Sequence, residues 1–378
     1  MKNKIKQAII FAGGKGERLF PYTKTTPKPL ISINGKPFIY YLIKRLASYN
    51  IKEVIILTGY RFEDFKALAE LFKNENLIIK CLNTPVHYET GNRILEFIDH
   101  IDDIFFALYG DNYWPFNLDD LYTNFIQKKF KAQIVAYNNY DRYSSSNLIV
   151  QSDEKISYYD TYRKNKDCTH VDLGFGIFSK SALDCLDSTN NVSFQSQVYK
   201  KLIDDNSLGA FDTKHRYYTL TNLNRMSPLN FIISDSKYAF VNLDLLNFTL
   251  NEMKYNYDRV SIPGSFLTIL NKLKNKKYKI ILIAYVPDIE KELIRQPEVD
   301  RYFRTIIEKF KELNLDLLNN IYMCPHLINS DCECNEKSLG LFLQAQRDLF
   351  IDLSKAVYFS KKKNKKLELI YNVNSNNV

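Results

Sequence analysis

Apolar positions fall along the chain in two alternating patterns. Short continuous runs, "QAIIFA" (residues 7–12), "EVIILTGY" (53–60), "NLIIKCL" (76–82) and "IFFALYGDN" (104–112), end in polar or glycine-containing turns and predict strands, "EVIILTGY" a buried one. Between them, "PFIYYLIKRLASYN" (37–50) and "FEDFKALAELF" (62–72) carry apolar residues three and four apart, the spacing of an amphipathic helix. Such alternation predicts an α/β domain with a parallel or mostly parallel sheet covered on both faces. The pattern pauses in the Asn- and Ser-rich stretch 222–235 and then restarts. "YAFVNLDLL" (238–246), "YKIILIAYV" (278–286) and "KAVYFSK" (355–361) read as strands, and "GSFLTILNKLKNKK" (264–277) and "VDRYFRTIIEKFKEL" (299–313) as helices. The expectation is two domains, residues 1–233 and a smaller α/β domain of residues 234–378.

Composition narrows the classes. With 45% apolar and 25% charged residues among 378, the chain can bury at least one large core. Its formal charge of +9 suits phosphate-bearing ligands. The Lys and Arg residues are dispersed, and no nucleic-acid reader motif stands out, which argues against nucleic acid as a partner. The basic run Lys361–Lys366 reads as a solvated tail. No apolar run approaches the ~18 residues that span a bilayer, and the apolar part of "MKNKIKQAII" is cut off at once by "GGKGER", so neither membrane insertion nor secretion is expected. A cytoplasmic location is the default expectation. Cys324, Cys332 and Cys334 lie close together in a chain without an export signal, a pattern that points to metal rather than disulfides.

Ligands of such sheets bind outside the carboxyl ends of the strands, and both "GGKGER" and "GDN" fall there. Gly13, Gly14 and Gly16 can line phosphates with main-chain N–H groups, aided by the N-terminus of a following helix. Arg18 and Lys28 supply cations for the phosphates of a nucleoside triphosphate (NTP) and a leaving pyrophosphate. Asp111, just after an apolar strand, can hold a Mg²⁺ bridging phosphate oxygens. Phosphoryl chemistry is mostly positioning and charge stabilisation, so this set approaches sufficiency.

The stretch "GGKGERLFPYTKTTPKPL", continued by "INGKPFIYYLIKRL", resembles the signature of the sugar-phosphate nucleotidyltransferases. "YGDNYW", "VDLGFGIFSKSAL" and "FQSQVYKKLIDDNSLGAF" resemble that family's later segments, so the resemblance covers about residues 5–230. It is nearest the branch that joins heptose 1-phosphates to GTP. The resemblance implies a Rossmann-like nucleotidyltransferase domain. A sugar-phosphate oxygen attacks the α-phosphate of an NTP, GTP or CTP by preference, and pyrophosphate leaves. By matching position, Gly13, Gly14, Lys15, Gly16 and Arg18 would hold the triphosphate, Lys28 the reacting phosphates, and Asp111 the Mg²⁺. Thr90 and Gly91 would contact the base, while Asp172 and Gly174 would hold the sugar phosphate. Three positions depart from the family pattern. Glu89 replaces a glycine of the base-contacting turn. Thr161 stands where a lysine is usual, with Arg163 or Lys164 as substitutes. Thr219 stands where an acidic second metal ligand is usual.

The second domain, and above all "CPHLINSDCEC", resembles the heptose-bisphosphate and histidinol-phosphate phosphatases of the haloacid dehalogenase superfamily, which implies a second Rossmannoid fold. Cys324, His326, Cys332 and Cys334 would be a structural Zn²⁺ set. The catalytic positions are damaged: Asn242 stands at the nucleophile, Ala284 at the phosphate-binding hydroxyl and Glu336 at the lysine, and "FSKKK" replaces an acidic turn. Only Asp244 survives. An amide cannot replace the carboxylate nucleophile, so no phosphatase activity is expected. The reading is a Mg²⁺-dependent transferase for surface-glycan precursors, heptose phosphate preferred over hexose or polyol phosphate. The alternative is a nucleotide-binding pseudoenzyme or scaffold of the same pathway, favoured by Thr161 and Thr219. A homo-oligomer is compatible with either.

Overall fold

A computed structural model describes residues 1–187, 189–234, 236–315, 317–361 and 375–377. The chain forms two compact units, Met1–Asn230 and Phe231–Val378. Among the described residues no helix is long and apolar enough to cross a membrane.

The first unit is built on a seven-stranded sheet. Its strands are β1 (Gln7–Phe11), β2 (Glu53–Thr58), β3 (Ile78–Asn83), β4 (Ile104–Tyr109), β5 (Ala132–Tyr137), β6 (Val171–Ser179) and β7 (Leu208–Thr213), in the spatial order β7-β5-β6-β4-β1-β2-β3. Ile9, Ile10, Ile55 and Ile56 are fully buried, as continuous apolar runs in a covered parallel sheet require. All pairings are parallel except those of β6, which runs antiparallel to both β4 and β5. Because β1 to β4 run the same way, the residues after Phe11, Thr58, Asn83 and Tyr109 gather at one edge of the sheet. A register shift between Asp172 and Gly176 bulges β6.

Two expected helices take another form. No α-helix follows the glycine loop. Three short 3₁₀ turns, Glu17–Leu19, Tyr22–Lys24 and Lys28–Leu30, lead instead to the helix Phe38–Ser48. Pro21, Pro27 and Pro29 each lack the N–H that a longer helix needs. Residues Phe62–Phe72 are likewise 3₁₀ rather than α, though Phe65, Leu68 and Phe72 are buried as the spacing predicts.

The second unit has a five-stranded, wholly parallel sheet. Its strands are β8 (Lys237–Asn242), β9 (Tyr278–Tyr285), β10 (Leu317–Cys324), β11 (Ala356–Ser360) and β12 (Ser375–Asn377), in the order β10-β9-β8-β11-β12. Alternate residues of the central strand enter opposite cores. Ala239 and Val241 pack with Phe266 and Tyr302 of the helices Gly264–Asn275 and Gln296–Glu312. Tyr238 and Phe240 pack with Phe342 and Ala345 of the helix Gly340–Leu349. The unit is therefore a three-layer sandwich. Of the basic run, Lys362 to Lys366 lie outside the described residues.

Candidate active site

The turns after the neighbouring strands β1 and β4 both line a cleft of about 340 Å³. Gly13, Gly14, Gly16 and Arg18 line one side, and Lys28, Thr90 and Asp111 also line it. Gly16 sits at φ +67, a left-handed conformation that few side chains adopt, and its carbonyl accepts the Thr23 hydroxyl at 2.8 Å. A Cβ there would lie 3.1 Å from the Lys28 Cβ, so the loop closes tightly onto the lysine. Lys28 Nζ donates to Asp111 Oδ2 at 2.5 Å, with the two side chains 11% and 28% exposed. This ion pair joins loops 83 residues apart and sets a cation and a carboxylate side by side in the cleft. Among the described residues nothing donates to Asp111 Oδ1. One uncommitted carboxylate oxygen beside a phosphate-sized opening suits Mg²⁺, which keeps water and substrate phosphates as most of its ligands. Lys15 lies outside this cleft and, with Gly16 and Arg18, lines a broader adjoining groove of about 710 Å³. Gly91 is buried beneath the turn, its N–H on Val192 O at 3.0 Å.

The floor of the cleft holds a cation that sequence reasoning missed. Arg93 is 3% exposed and lines the cleft. Its Nη1 donates to Thr58 O at 2.9 Å and to Thr84 Oγ1, and its Nη2 donates to Val86 O at 3.0 Å and to Gly13 O at 3.4 Å. Desolvation by burial pushes the guanidinium below its ordinary value, against attraction from Glu89 and Glu96. Gly13 exists to admit it, because a Cβ there would lie 2.3 Å from Nη1.

Comparison with known proteins matches this half of the chain. A family model, described as nucleotidyl transferase, fits residues 7–155. The D-glycero-α-D-manno-heptose 1-phosphate guanylyltransferase of Campylobacter jejuni is 32% identical over 202 residues, covering 52% of this chain and 87% of that protein. The chain belongs to the nucleotidyl transferase family. A mannose-1-phosphate guanyltransferase of Gibberella zeae is 26% identical over 216 residues, covering 54% of this chain and 58% of that protein. The solved inositol-1-phosphate CTP transferase of T. maritima shares the fold, with a TM-score of 0.51, 16% identity, and coverage of 60% of this chain and 93% of that one.

The nucleotidyl transferase cleft gathers most of the expected residues, but not all of them. Asp172 and Gly174 do not line it. They sit in the β6 bulge, where Asp172 Oδ1 accepts the Gly174 N–H at 2.8 Å and Gly174 takes φ +66. Desolvation raises the Asp172 carboxyl to about 6, although the Gly174 N–H, Arg163 and Gln195 favour its anion. Two contacts link the bulge to the cleft. Asn112, next to Asp111, donates to Leu173 O at 2.9 Å, and Tyr109, which lines the cleft, donates to Gln195 Oε1 at 2.7 Å while Gln195 Nε2 donates to Asp172 Oδ2 at 3.5 Å. Thr219 pairs with Asn112 in a short antiparallel bridge, and its hydroxyl bonds that of Thr221. Leu220 N–H reaches Asp111 O at 2.8 Å.

In the second unit, one donor atom each from Cys324, His326, Cys332 and Cys334 lies within 4.8 Å of the others. Cys324 Sγ is 3.3 Å from Cys334 Sγ, 3.9 Å from Cys332 Sγ and 3.6 Å from His326 Nδ1, and Cys334 Sγ is 3.3 Å from that nitrogen. Tetrahedral bonds of about 2.3 Å to sulfur and 2.0–2.1 Å to nitrogen would place ligand atoms roughly 3.5–3.8 Å apart, so the four fit one metal ion. Burial pushes the Cys324 and Cys334 thiols up. Nearby, Asn242 is 1% exposed and internally engaged. Its Nδ2 donates to Tyr358 OH and Ser360 Oγ at 3.2 and 3.3 Å, and its Oδ1 accepts the Asp244 N–H at 3.0 Å.

Proposed function

We propose that the first unit joins an NTP to a sugar 1-phosphate with release of pyrophosphate. The observation that carries this reading is the Lys28–Asp111 pair set in one cleft with the glycine loop. In this mechanism the N–H groups of Gly13, Gly14 and Gly16 take the triphosphate, and Lys15 and Arg18 neutralise its outer charge. Thr90 would lie on the base side, and Gly91, buried with its N–H on Val192 O, would support that turn rather than touch the base. Lys28 is held beside the reacting phosphate by its partner Asp111, so its ammonium needs no reorganisation as charge develops on the leaving pyrophosphate. Asp111 would hold a Mg²⁺, which would supply charge neutralisation to the phosphates. The acceptor is itself a phosphate anion near neutral pH, so its oxygen can attack the α-phosphorus in line without a general base. The bond to pyrophosphate breaks as the new one forms. Asp172, Gly174 and Arg163 support a place for the acceptor beyond Tyr109.

GTP or CTP with a heptose phosphate is the preferred pair, on the strength of kinship with the C. jejuni enzyme, and the product would feed surface-glycan synthesis. The second unit is read as a haloacid dehalogenase-like domain, residues 234–378, without phosphatase activity. Asn242 spends both ends of its amide inside the fold, and its four-residue Cys/His set is read as a structural Zn²⁺ site. The experiment is pyrophosphate release with Mg²⁺, pairing GTP, CTP, UTP, ATP and dTTP with heptose, hexose and polyol phosphates. Turnover with one pair identifies the substrates. Nucleotide binding without turnover on any pair would replace this reading with the pseudoenzyme, which Thr161 and Thr219 favour.

A further inference from the structure

The most unusual charge in the first unit is not one of those expected to touch phosphate. Arg93 is almost wholly buried, yet among the described residues no carboxylate forms an ion pair with it. Its four hydrogen bonds go to three carbonyls and a hydroxyl. They engage four of the five guanidinium donors and leave only Nε–H. Glu89 and Glu96 attract this cation without pairing with it, and burying a charge with no ion-pair partner is costly.

The placement of the four acceptors is the second observation. Gly13 follows β1, Thr58 ends β2, and Thr84 and Val86 follow β3. One guanidinium therefore ties together the loops after β1, β2 and β3, of which the first and third line the cleft. The chain makes room for it twice, since a Cβ on Gly13 would lie 2.3 Å from Nη1 and one on Gly59 would lie 2.4 Å from it. The other charges of the cleft differ in kind. Lys28 is already met by Asp111, and Arg18 lies at the exposed rim.

We infer that Arg93 is a positioning residue of this cleft. Its guanidinium holds the three loops in one arrangement, and its unpaired charge is reserved for an anionic ligand seated on the glycine loop above it. This deepens the nucleotidyltransferase reading and rests on it for the identity of the anion, a nucleoside triphosphate. Carbonyls satisfy the guanidinium's hydrogen bonds but not its charge, which Glu89 and Glu96 attract without forming an ion pair with it. Binding a polyanion there removes that penalty and adds its stabilisation to the ligand's affinity.

The test uses the full chain, with Arg93→Met and Arg93→Lys beside the unchanged protein. Calorimetry measures binding of inorganic tripolyphosphate, of GTP and of guanosine. Amide hydrogen exchange reports on residues 12–16 and 84–88. Arg93→Met should weaken tripolyphosphate and GTP about tenfold to a hundredfold, the loss of one charged contact. It should weaken guanosine, which carries no charge, much less. Arg93→Lys keeps the charge but not the fork, so it should lose less than about tenfold in tripolyphosphate affinity while exchange in both loops rises. A purely structural arginine would weaken guanosine as much as tripolyphosphate, and that result overturns the inference. So does an Arg93→Met protein that binds tripolyphosphate as the unchanged one does, or an unchanged protein that binds none. If Arg93→Met does not fold, Arg93→Lys decides, because unchanged affinity and unchanged exchange would also overturn it. Charge-dependent binding in a protein that turns over no NTP would uphold this inference while removing the transferase reading.

Discussion

Two adjacent glycines should respond oppositely to the same methyl group. At Gly13 a Cβ would lie 2.3 Å from Arg93 Nη1, 2.4 Å from Cζ and 2.8 Å from Nε, whereas at Gly14 it would meet nothing within 4 Å. An ordinary contact begins at 3.4 Å, so in Gly13→Ala the guanidinium must retreat by about 1 Å. Long side chains usually give way easily, but this one is held. A displacement of that size would break its 2.9 Å bond to Thr58 O and its 3.0 Å bond to Val86 O. With charged hydrogen bonds worth roughly 1.5–3 kcal/mol each, the expected cost of Gly13→Ala is about 3–6 kcal/mol. Gly14→Ala should stay within about 0.5 kcal/mol. Urea unfolding followed by intrinsic fluorescence measures both, and the double variant Gly13→Ala/Arg93→Met supplies the coupling. The clash is already gone in the Arg93→Met background, so adding Gly13→Ala there should cost much less. Equal effects at the two glycines, or strict additivity in the double variant, would refute the reasoning.

Three other outcomes follow from the geometry. Burial raises the Asp172 carboxyl to about 6, above its ordinary value of 3.8, so the folded state holds that proton more tightly than the unfolded one. Stability is then lost as pH rises through about 4 to 6, by at most about 3 kcal/mol. Asp172→Asn should melt higher than the unchanged protein at pH 8 and lose that advantage as pH falls to 4; a pH-independent difference would contradict this. Lys28→Met removes a cation 11% exposed beside Asp111, and should lower the turnover number about a hundredfold or more while costing under about 2 kcal/mol of stability. A turnover number within a few-fold of the unchanged enzyme would contradict the role given to Lys28. Cys334→Ser removes one of four converging donors, so bound zinc per chain, read by elemental analysis, should fall well below the unchanged protein's value together with the melting temperature. Equal zinc in both proteins would remove the site.

How far the sequence discloses this molecule depends on the kind of fact. Runs such as Ile9–Ile10 and Ile55–Ile56 announce buried strands because no other element of that length buries every residue. The glycine loop and the GDN turn were legible because strand ends in an alternating α/β pattern gather on one edge. The direction of β6 was not legible: "VDLGFGIFS" is as apolar as the parallel strands of the same sheet, and strand sense follows from connections rather than side-chain spacing. The helix expected after Gly16 overlooked three prolines, which break the chain into 3₁₀ turns. Arg93 could not be found at all from "TGNRIL", since an arginine in a short helix is ordinarily solvated. Only the approach of Gly13 and Gly59 makes it a buried group. Asp172 was expected to hold the sugar phosphate, and its place outside the cleft lining follows from a bulge that periodicity does not record.

The central claim is that Asp111 and Lys28 operate on a nucleoside triphosphate held by the glycine loop. The most direct measurement is pyrophosphate release by the unchanged chain and by Asp111→Ala, with Mg²⁺ and the NTP–sugar-phosphate pair that gives the highest rate, alongside calorimetric binding of the same NTP. The account predicts turnover that falls by about a thousandfold or more in Asp111→Ala, while nucleotide binding survives in weakened form through the loop and Arg18. Turnover that persists in Asp111→Ala would contradict it.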